Sequence, residues 1–248
     1  MELPGERNES SWVGIIQPNY IPWRGYFDFI RQVDTFIFLD DVQYTKRDWR
    51  NRNKVCTRDG GPVWLSVPVK ANRHSLIMDV KVDYSENWQC KHLNTVRHNY
   101  GKAPFFEKYF DPFQEILLSK VPFLSELDIA LTKLVCSWLG VETHFYKSSE
   151  LSCGGTKDKK LIKLMKKVGG SHYLSGPAAK SYLQPELWSE AGIALSFITY
   201  PDYPTYPQIA RPFEPAVSVL DLMFMVGPDA PNYIWGSHFE NKANAKHD

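Results

Sequence analysis

The sequence lacks the features of several specialised protein classes. No apolar run approaches the ~20 residues that a bilayer span requires, and 29 basic and 28 acidic residues leave a net charge of only +1. Proteins that chiefly neutralise nucleic-acid phosphates carry a clear basic excess, so we expect no DNA binding and no membrane contact. The polar segment 1–11 lacks the basic start and apolar core of a signal peptide, which predicts a cytoplasmic protein.

Cysteine is also scarce, and its spacing does not favour metal binding. Four cysteines are scattered along the chain, and no two have the C-x-x-C spacing of a structural zinc site: Cys56, Cys90, Cys136 and Cys153. We therefore predict free thiols and no metal site. The sequence names no cofactor.

Aromatic residues are abundant instead. They make up 14% of the chain, with 8 Trp, 13 Tyr and 14 Phe. This composition is typical either of an aromatic core or of a ligand pocket with aromatic walls. Many of these aromatics stand beside polar residues in predicted loops, so both interpretations stay open.

The first apolar segments predict a βαβ unit. Residues 11–17 form a β-type run, 25–33 have helical spacing with Tyr26 and Phe29 on one face, and 35–39 form a second β-type run. Strands joined in this way are parallel, with a right-handed connection.

The rest of the chain extends this pattern to a complete fold. We predict an α/β fold with a mainly parallel sheet flanked by helices, and an antiparallel hairpin insert near residues 53–83 around Gly60 and Gly61. A third short strand is expected at 78–82. We expect a single α/β domain over 11–235, with flexible tails at 1–10 and 236–248.

Ligands of parallel sheets bind at the carboxyl ends of the strands, which directs attention to the first loop, residues 17–26. It contains an amide, a tryptophan and two tyrosines just before a helix N-terminus that can stabilise an anion. We select five candidate substrate-binding residues here: Gln17, Asn19, Tyr20, Trp23 and Tyr26. The alternative is a rigid turn in which prolines direct the chain.

The second loop, residues 40–53, is rich in charge. Asp40 and Asp41 are candidate catalytic bases, although adjacent residues of an extended chain point to opposite sides and do not form a close pair. The candidate substrate-binding residues are Gln43, Arg47, Trp49, Arg50, Asn51, Arg52 and Asn53, because guanidinium groups bind phosphate or carboxylate with paired hydrogen bonds. The alternative is a solvated loop with Asp–Arg pairs.

Two geometric expectations follow for these loops. Both follow strands of one βαβ unit, so they should meet in one pocket. One of Arg50 and Arg52 should pair with Asp40 or Asp41, which leaves the other for an anionic ligand.

The remaining candidates lie further along the chain. His92 is a third candidate base, since histidine titrates near physiological pH; a structural, hydrogen-bonded histidine is the alternative. The last candidate substrate-binding residues lie in a third loop, residues 175–182, and in a segment rich in proline and tyrosine, residues 200–208, which we call the Pro/Tyr segment. The third loop matches neither a P-loop nor G-x-S-x-G. The candidates are Ser175, Gly176, Tyr182, Tyr203 and Gln208.

Several of these runs resemble the WbqC-like protein family. They are Gln-Pro-Asn-Tyr-Ile-Pro-Trp-Arg-Gly-Tyr-Phe (17–27), Leu-Asp-Asp-Val-Gln-Tyr (39–44), Trp-Arg-Asn-Arg-Asn (49–53), Tyr-Leu-Ser-Gly (173–176), the segment 203–208 and Ser-Val-Leu-Asp (218–221). The resemblance implies a bacterial protein of surface-polysaccharide (O-antigen) or natural-product biosynthesis. It further implies transfer of an acyl or aminoacyl group, such as glycyl, to an amino sugar or related small amine. The substrate would be a small molecule, nucleotide-linked in one version, and aminoacyl-tRNA is an alternative donor.

Two other functions stay open. The opening segment also resembles the nucleotidyltransferase-like fold, which implies an ATP-using activating enzyme; in that fold the loop carries two histidines, where this chain has Trp23 and Tyr26. The last alternative is a non-catalytic binding partner in a biosynthetic complex.

Overall fold

A computed structural model of the chain describes residues 10–236. Internal contacts divide the chain into two compact units, each assembled from three segments. Unit 1 comprises 1–16, 29–39 and 143–199, and unit 2 comprises 17–28, 40–142 and 200–248. A single domain over 11–235 stays a prediction, and nearly all of the two predicted tails lies outside the described residues.

The secondary structure follows the apolar periodicity of the sequence. Numbered along the chain, the strands are β1 (Trp12–Ile16), β2 (Thr35–Phe38), β3 (Arg52–Thr57), β4 (Gly60–Ser66), β5 (Val69–Lys70), β6 (Lys81–Val82), β7 (His144–Lys147), β8 (His172–Ser175) and β9 (Ala194–Phe197). The helices are α1 (Arg24–Arg31), α2 (Trp88–Tyr100), α3 (Phe106–Leu118), α4 (Leu124–Leu139), α5 (Ser148–Leu151), α6 (Lys157–Lys167), α7 (Pro185–Glu190), α8 (Val219–Val226) and α9 (Asn232–Trp235).

Unit 1 contains a parallel sheet of five strands in the order β7-β2-β1-β8-β9. All four residues of β2 are buried, as is typical of a parallel strand covered on both faces. Helices α6 and α7 contribute Leu164, Met165 and Trp188 to a core shared with β1 and β8. Gly14 of β1 is required by close packing, because a Cβ atom there would lie 2.3 Å from the Phe29 ring. The predicted parallel α/β sheet is confirmed.

Unit 2 contains the longer helices and the antiparallel strands. Strands β3 and β4 form the predicted hairpin, and β5 pairs with β6. Helix α4 ends at Gly140, which adopts the left-handed conformation (φ 66°) that favours glycine at a helix C-terminus. The predicted strand at 78–82 is wrong in its first half, because Ile77–Asp79 form a 3-10 turn. The N–H groups of Ile77 and Met78 bond instead to the carbonyls of Val42 and Asp40.

Within residues 10–236, no helix has the length and apolar character needed to cross a membrane.

Candidate functional site

The two polar loops, 17–26 and 40–53, are hydrogen-bonded to each other in unit 2. The Tyr20 N–H donates to the Trp49 carbonyl at 3.0 Å. The Asn53 side-chain amide donates to the carbonyls of Tyr20 and Ile21 at 3.1 and 2.9 Å. The expectation that these loops meet is therefore confirmed, and Asn53 is the residue that joins them.

Ile21 holds a strained backbone conformation at this junction. Its φ of 36° lies in the left-handed region, which is a genuine outlier for a β-branched residue. The Asn53 amide fixes its carbonyl, and the carbonyl of the next residue, Pro22, accepts from Val219 N–H at 2.9 Å. Such strain persists only where the surrounding structure enforces it, and it is concentrated at functional sites.

A cleft of about 400 Å³ opens between the loops and the segment before α8. Its lining residues are Asn19, Pro22, Trp23, Trp49, Asn53, Pro215 and Ala216. Trp23 and Trp49 keep 36% and 45% of their surface exposed, and Trp23 packs edge-on against Tyr200 and Tyr203. Apolar walls with a few fixed amides are typical of small-molecule sites.

A second depression, of about 300 Å³, shares Trp49 with the cleft. We call it the cationic pocket; it is lined by Arg47, Asp48, Trp49, Arg52, Lys54 and Trp64. The register of β3 and β4 sets Lys54 opposite Trp64. The Arg52 guanidinium and the Lys54 ammonium lie 4.3 and 5.3 Å from the centre of the Trp64 ring. The pocket thus combines cationic groups with a flat apolar surface, an arrangement that suits an anionic ligand carrying a ring.

The two arginines of this loop have different environments. Arg50 forms an ion pair with Asp48, whereas Arg52 stacks on Trp64. The prediction that Asp40 or Asp41 pairs with one of these arginines is therefore wrong. Arg50 pairs with Asp48 instead, because Asp48 lies only two residues before it in the same turn. An arginine without an ion pair does face the cationic pocket, as the sequence predicted.

The candidate bases occupy unequal positions. Asp40 is buried and Asp41 half-buried; both stay predictions. His92 is buried, and its Nδ1 lies 2.9 Å from the Tyr20 hydroxyl. Burial lowers the pKa of His92 to about 4, although a hydrogen bond with the Ser66 backbone opposes this. His92 is therefore neutral at physiological pH and supports Tyr20, which favours the structural alternative.

Other predicted site residues use their side chains to hold the loops. The Tyr26 hydroxyl donates to the Gln17 carbonyl at 3.1 Å. The Gln43 amide donates to the Arg73 carbonyl at 2.7 Å, and the Asn51 amide to the Val67 carbonyl at 3.0 Å.

The Pro/Tyr segment bonds to buried acids of unit 2. The Tyr203 hydroxyl donates to Asp28 at 2.6 Å. The carboxyl of Asp221, which is fully buried, accepts from Tyr100, Tyr206 and Gln208 at 2.6, 2.6 and 2.7 Å. These contacts give the 203–208 and 218–221 runs a structural role.

The Arg24 guanidinium is buried beside the same segment. It donates to the carbonyls of Pro204 and Tyr233 at 2.8 and 3.1 Å, and it lies 4.8 Å from the centre of the Tyr203 ring. Burial lowers the pKa of Arg24, and neighbouring Tyr206, Tyr203 and Asp221 oppose that shift. Arg24 therefore cross-links this segment.

Sequence reasoning missed Asp128 of α4. Its side chain is fully buried, and neither carboxyl oxygen has a hydrogen-bond partner. Burial raises the pKa of Asp128 well above its usual range, with Arg50 opposing. A signal was present: Asp128 falls four residues after Leu124 and three before Leu131, both of them apolar, in a helix that is buried on most of its surface.

The third predicted loop belongs to unit 1. Ser175 is buried at the end of β8, where its hydroxyl donates to the Tyr173 hydroxyl at 3.4 Å. Gly176 follows, and Tyr182 has 61% of its surface exposed. These three residues stay predicted binding residues.

Fold and site together define an α/β protein with a cleft lined by two cross-linked loops. The model of the WbqC-like protein family matches residues 17–233, so the chain belongs to this family. It is also 40% identical over 225 residues to "Uncharacterized protein Rv1507c" of Mycobacterium tuberculosis (strain ATCC 25618 / H37Rv), an alignment that covers 90% of this chain and 96% of the relative. No solved structure matches the chain.

Proposed function

We propose that this chain is a cytoplasmic transferase that passes an acyl or aminoacyl group, such as glycyl, to the amine of an amino sugar or related small amine. Its setting would be bacterial surface-polysaccharide or natural-product biosynthesis, the context that the family resemblance implies. The observation that carries the proposal is the pair of depressions that share Trp49, one apolar and one cationic. A transfer reaction requires two adjoining sites of this kind.

The two depressions suit different parts of the substrates. The cleft offers Trp23 and Trp49 as apolar walls for a ring, with Asn19 and Asn53 beside them. The cationic pocket offers Arg52 and other cations to the anionic group of a donor, and charge-assisted contacts of this type contribute roughly 1.5–3 kcal/mol each. The donor would be an acyl-CoA or an aminoacyl-tRNA, which releases CoA or tRNA when the amine attacks its acyl carbonyl, and the acceptor amine would belong to a small molecule such as a nucleotide-linked amino sugar.

Acyl transfer also needs a base for the attacking amine and donors for the oxyanion. Asp40 and Asp41 are the proposed bases, because the low pKa of His92 makes it a poor proton acceptor at neutral pH. The loop amides and guanidinium groups are the proposed oxyanion donors. These assignments rest on residue chemistry and on the position of the loop.

A thermal-shift screen tests the proposal. Nucleotide sugars, acyl-CoA, aminoacyl-tRNA and ATP are added separately to the wild type, since a ligand at 100 times its Kd stabilises the native state by about 2.7 kcal/mol. We expect an acyl-CoA or aminoacyl-tRNA donor, or a nucleotide-sugar acceptor, to raise the Tm, and Trp49→Ala and Arg52→Ala to abolish the shift. The matched controls, exposed Tyr146→Ala and Lys163→Ala of unit 1, should retain it.

A transfer assay completes the test. The stabilising donor is incubated with an amino sugar, and mass spectrometry should show the acceptor gaining the donor's acyl mass. A shift with ATP alone would favour the ATP-using activating enzyme instead. Absence of any shift, or equal losses in the control variants, would contradict the proposal and favour a non-catalytic partner.

A further inference from the structure

A group of unpartnered polar atoms lies inside unit 2. We call it the buried acid cluster: Asp128, Thr132, Tyr44 and Arg50. Asp128 and Thr132 are fully buried one helical turn apart on α4, so their side chains lie on the same face. Within residues 10–236, no hydrogen-bond partner is found for either carboxyl oxygen of Asp128, the Thr132 hydroxyl, the Tyr44 hydroxyl or Arg50 Nε.

Three members of the cluster, Asp128, Tyr44 and Arg50, interact electrostatically with one another, and Thr132 lies one helical turn from Asp128. Burial, together with the Asp128 carboxyl, raises the pKa of Tyr44 to about 12, and Arg50 opposes this shift. Arg50 also opposes the rise in the pKa of Asp128. Asp128 further contributes to the raised pKa values of Tyr20 and Tyr26 in the first loop. The cluster therefore adjoins both loops that line the cleft.

Buried polar atoms without hydrogen-bond partners lower the stability of the folded state. A buried polar atom without a partner loses its hydration and gains nothing in return, and an apolar residue at position 128 would avoid that loss. Asp221 in the same unit shows the usual solution, with three hydrogen bonds to its buried carboxyl. A polar group retained at a cost to stability beside a ligand cleft is characteristic of a functional site.

We propose that the buried acid cluster binds an uncharged amine or hydroxyl of a ligand, the group that accepts the acyl in the proposed function on which this inference rests. A neutral carboxyl both donates and accepts hydrogen bonds, as the hydroxyls of Thr132 and Tyr44 do. An amine can donate to Asp128 and Thr132 and accept from the Asp128 O–H. The cluster thus matches the complete hydrogen-bonding capacity of such a group.

Tyr44 provides the approach to the cluster. It also lines a surface depression of about 330 Å³, together with Asn51, whose Oδ1 is likewise buried without a partner. Arg47 lies on the rim of the same depression and of the cationic pocket. Tyr44 is thus the member of the cluster that a ligand in this depression would contact.

The first arm of the test measures stability in four variants of the full chain. Asp128→Leu and Thr132→Val should raise or preserve the thermal midpoint, because each removes an unpartnered group, and Asp128→Asn, which exchanges one unpartnered polar group for another, should leave it nearly unchanged. Asp221→Asn should lower the midpoint, because it disturbs satisfied hydrogen bonds. A clear loss of stability in both Asp128 variants would assign Asp128 a structural role and overturn the inference.

The second arm measures binding of 2-aminoethanol, with ethylene glycol as the hydroxyl-only probe and N-acetyl-2-aminoethanol as the blocked control. Amide chemical shifts of α4 and Tyr44 report on the site. We expect saturable shifts with a probe that carries a free amine or hydroxyl, and at least tenfold weaker binding to Asp128→Leu, Asp128→Asn and Thr132→Val. Weaker binding of the N-acetyl compound identifies the amine as the bound group, and equal binding identifies the hydroxyl.

The outcomes separate the two proposals. Unchanged probe affinity in the Asp128 variants, or no binding by the wild type, would overturn the buried site whatever the transfer assay shows. A wild type that binds the probe through Asp128 but transfers no acyl group would retain the buried site and contradict the proposed function.

Discussion

Asp128 and Asp221 are both fully buried in unit 2, yet their surroundings are opposite. The Asp221 carboxyl accepts three hydrogen bonds, from two tyrosine hydroxyls and one glutamine amide. The Asp128 carboxyl accepts none, and Thr132 beside it is also unpartnered. Burial of equal depth therefore has opposite energetic consequences: one acid stabilises the fold, and the other lowers its stability by roughly 1–3 kcal/mol.

The same contrast separates the segments that carry these acids. The Asp221 network fixes the Pro/Tyr segment to α8 through side chains with well-satisfied hydrogen bonds. The Asp128 region adjoins loops with a strained Ile21 and exposed tryptophans. Stability is concentrated in the first region and the candidate chemistry in the second, as expected where function requires locally unfavourable structure.

The largest expected effect comes from removing the satisfied acid. Asp221→Ala leaves the hydroxyl donors of Tyr100 and Tyr206 unpaired in the interior and removes one of the acceptors of the Gln208 amide, so it should lower the free energy of unfolding by roughly 3–4 kcal/mol. Urea denaturation measures the change. Asp229→Ala, an exposed residue of the same unit, is the control and should change stability by no more than about 0.5 kcal/mol. A small loss for Asp221→Ala would remove the contrast between the two acids.

A slightly smaller effect is expected from pH through His92. Its folded-state pKa of about 4 lies below the ordinary value of 6.5, so between these values the unfolded chain binds the proton more readily. The stability that neutral His92 provides is therefore complete above about pH 6.5 and is lost as the pH falls toward 4, by roughly 3 kcal/mol at most.

Urea denaturation at pH 7, 5.5 and 4.5 tests this prediction. His92→Gln should flatten the decline, whereas exposed His98→Gln on the same helix should not. If both variants followed the wild-type curve, His92 would not be the buried neutral group that supports Tyr20.

A moderate effect is expected at the junction of the loops. Asn53→Ala removes two hydrogen bonds to the carbonyls of Tyr20 and Ile21 and should cost about 2 kcal/mol. The same change should weaken ligand binding in the cleft, because the strained turn at Ile21 loses its support. Exposed Asn94→Ala is the matched control; equal effects of the two substitutions on stability and binding would contradict the role given to Asn53.

The smallest effect on stability is expected in the 40–53 loop itself. Arg47→Ala and Arg52→Ala in the cationic pocket should each leave the Tm within a few degrees, since substitutions outside the core typically change stability by about 0.5 kcal/mol. Affinity for the stabilising donor should fall about tenfold, which corresponds to about 1.4 kcal/mol. A cooperative loss of structure with unchanged affinity per folded molecule would make these residues structural.

Local patterns predicted most of the secondary structure. Apolar runs located β1 and β2 within one residue at each end, and helical spacing located α1 within two residues. The helices α5 and α9 were not predicted, because four-residue segments carry too little periodicity. The place of β7 beside β2 depends on pairing between distant segments, which no local pattern encodes.

The sequence predicted the candidate site only where its loops directly follow the ends of parallel strands. The approach of the first two loops followed from the βαβ rule, but Trp64 and Lys54 enter the cationic pocket through the hairpin register. Tyr203 and Gln208 stay predicted binding residues, and their hydrogen bonds to the buried acids Asp28 and Asp221 depend on tertiary packing that no local pattern encodes. Asp128 lies far from both loops along the chain, so its contribution depended on tertiary packing.

The most direct test of the contrast between the two acids is the infrared spectrum at neutral pH. In the difference between wild type and Asp128→Asn, we predict the C=O stretch of a protonated carboxylic acid, because burial without a hydrogen-bond partner raises the pKa of Asp128. Addition of 2-aminoethanol should shift this band. A difference spectrum that contains only carboxylate bands would show that Asp128 is ionised, and it would contradict the account of a neutral acid held ready for a ligand.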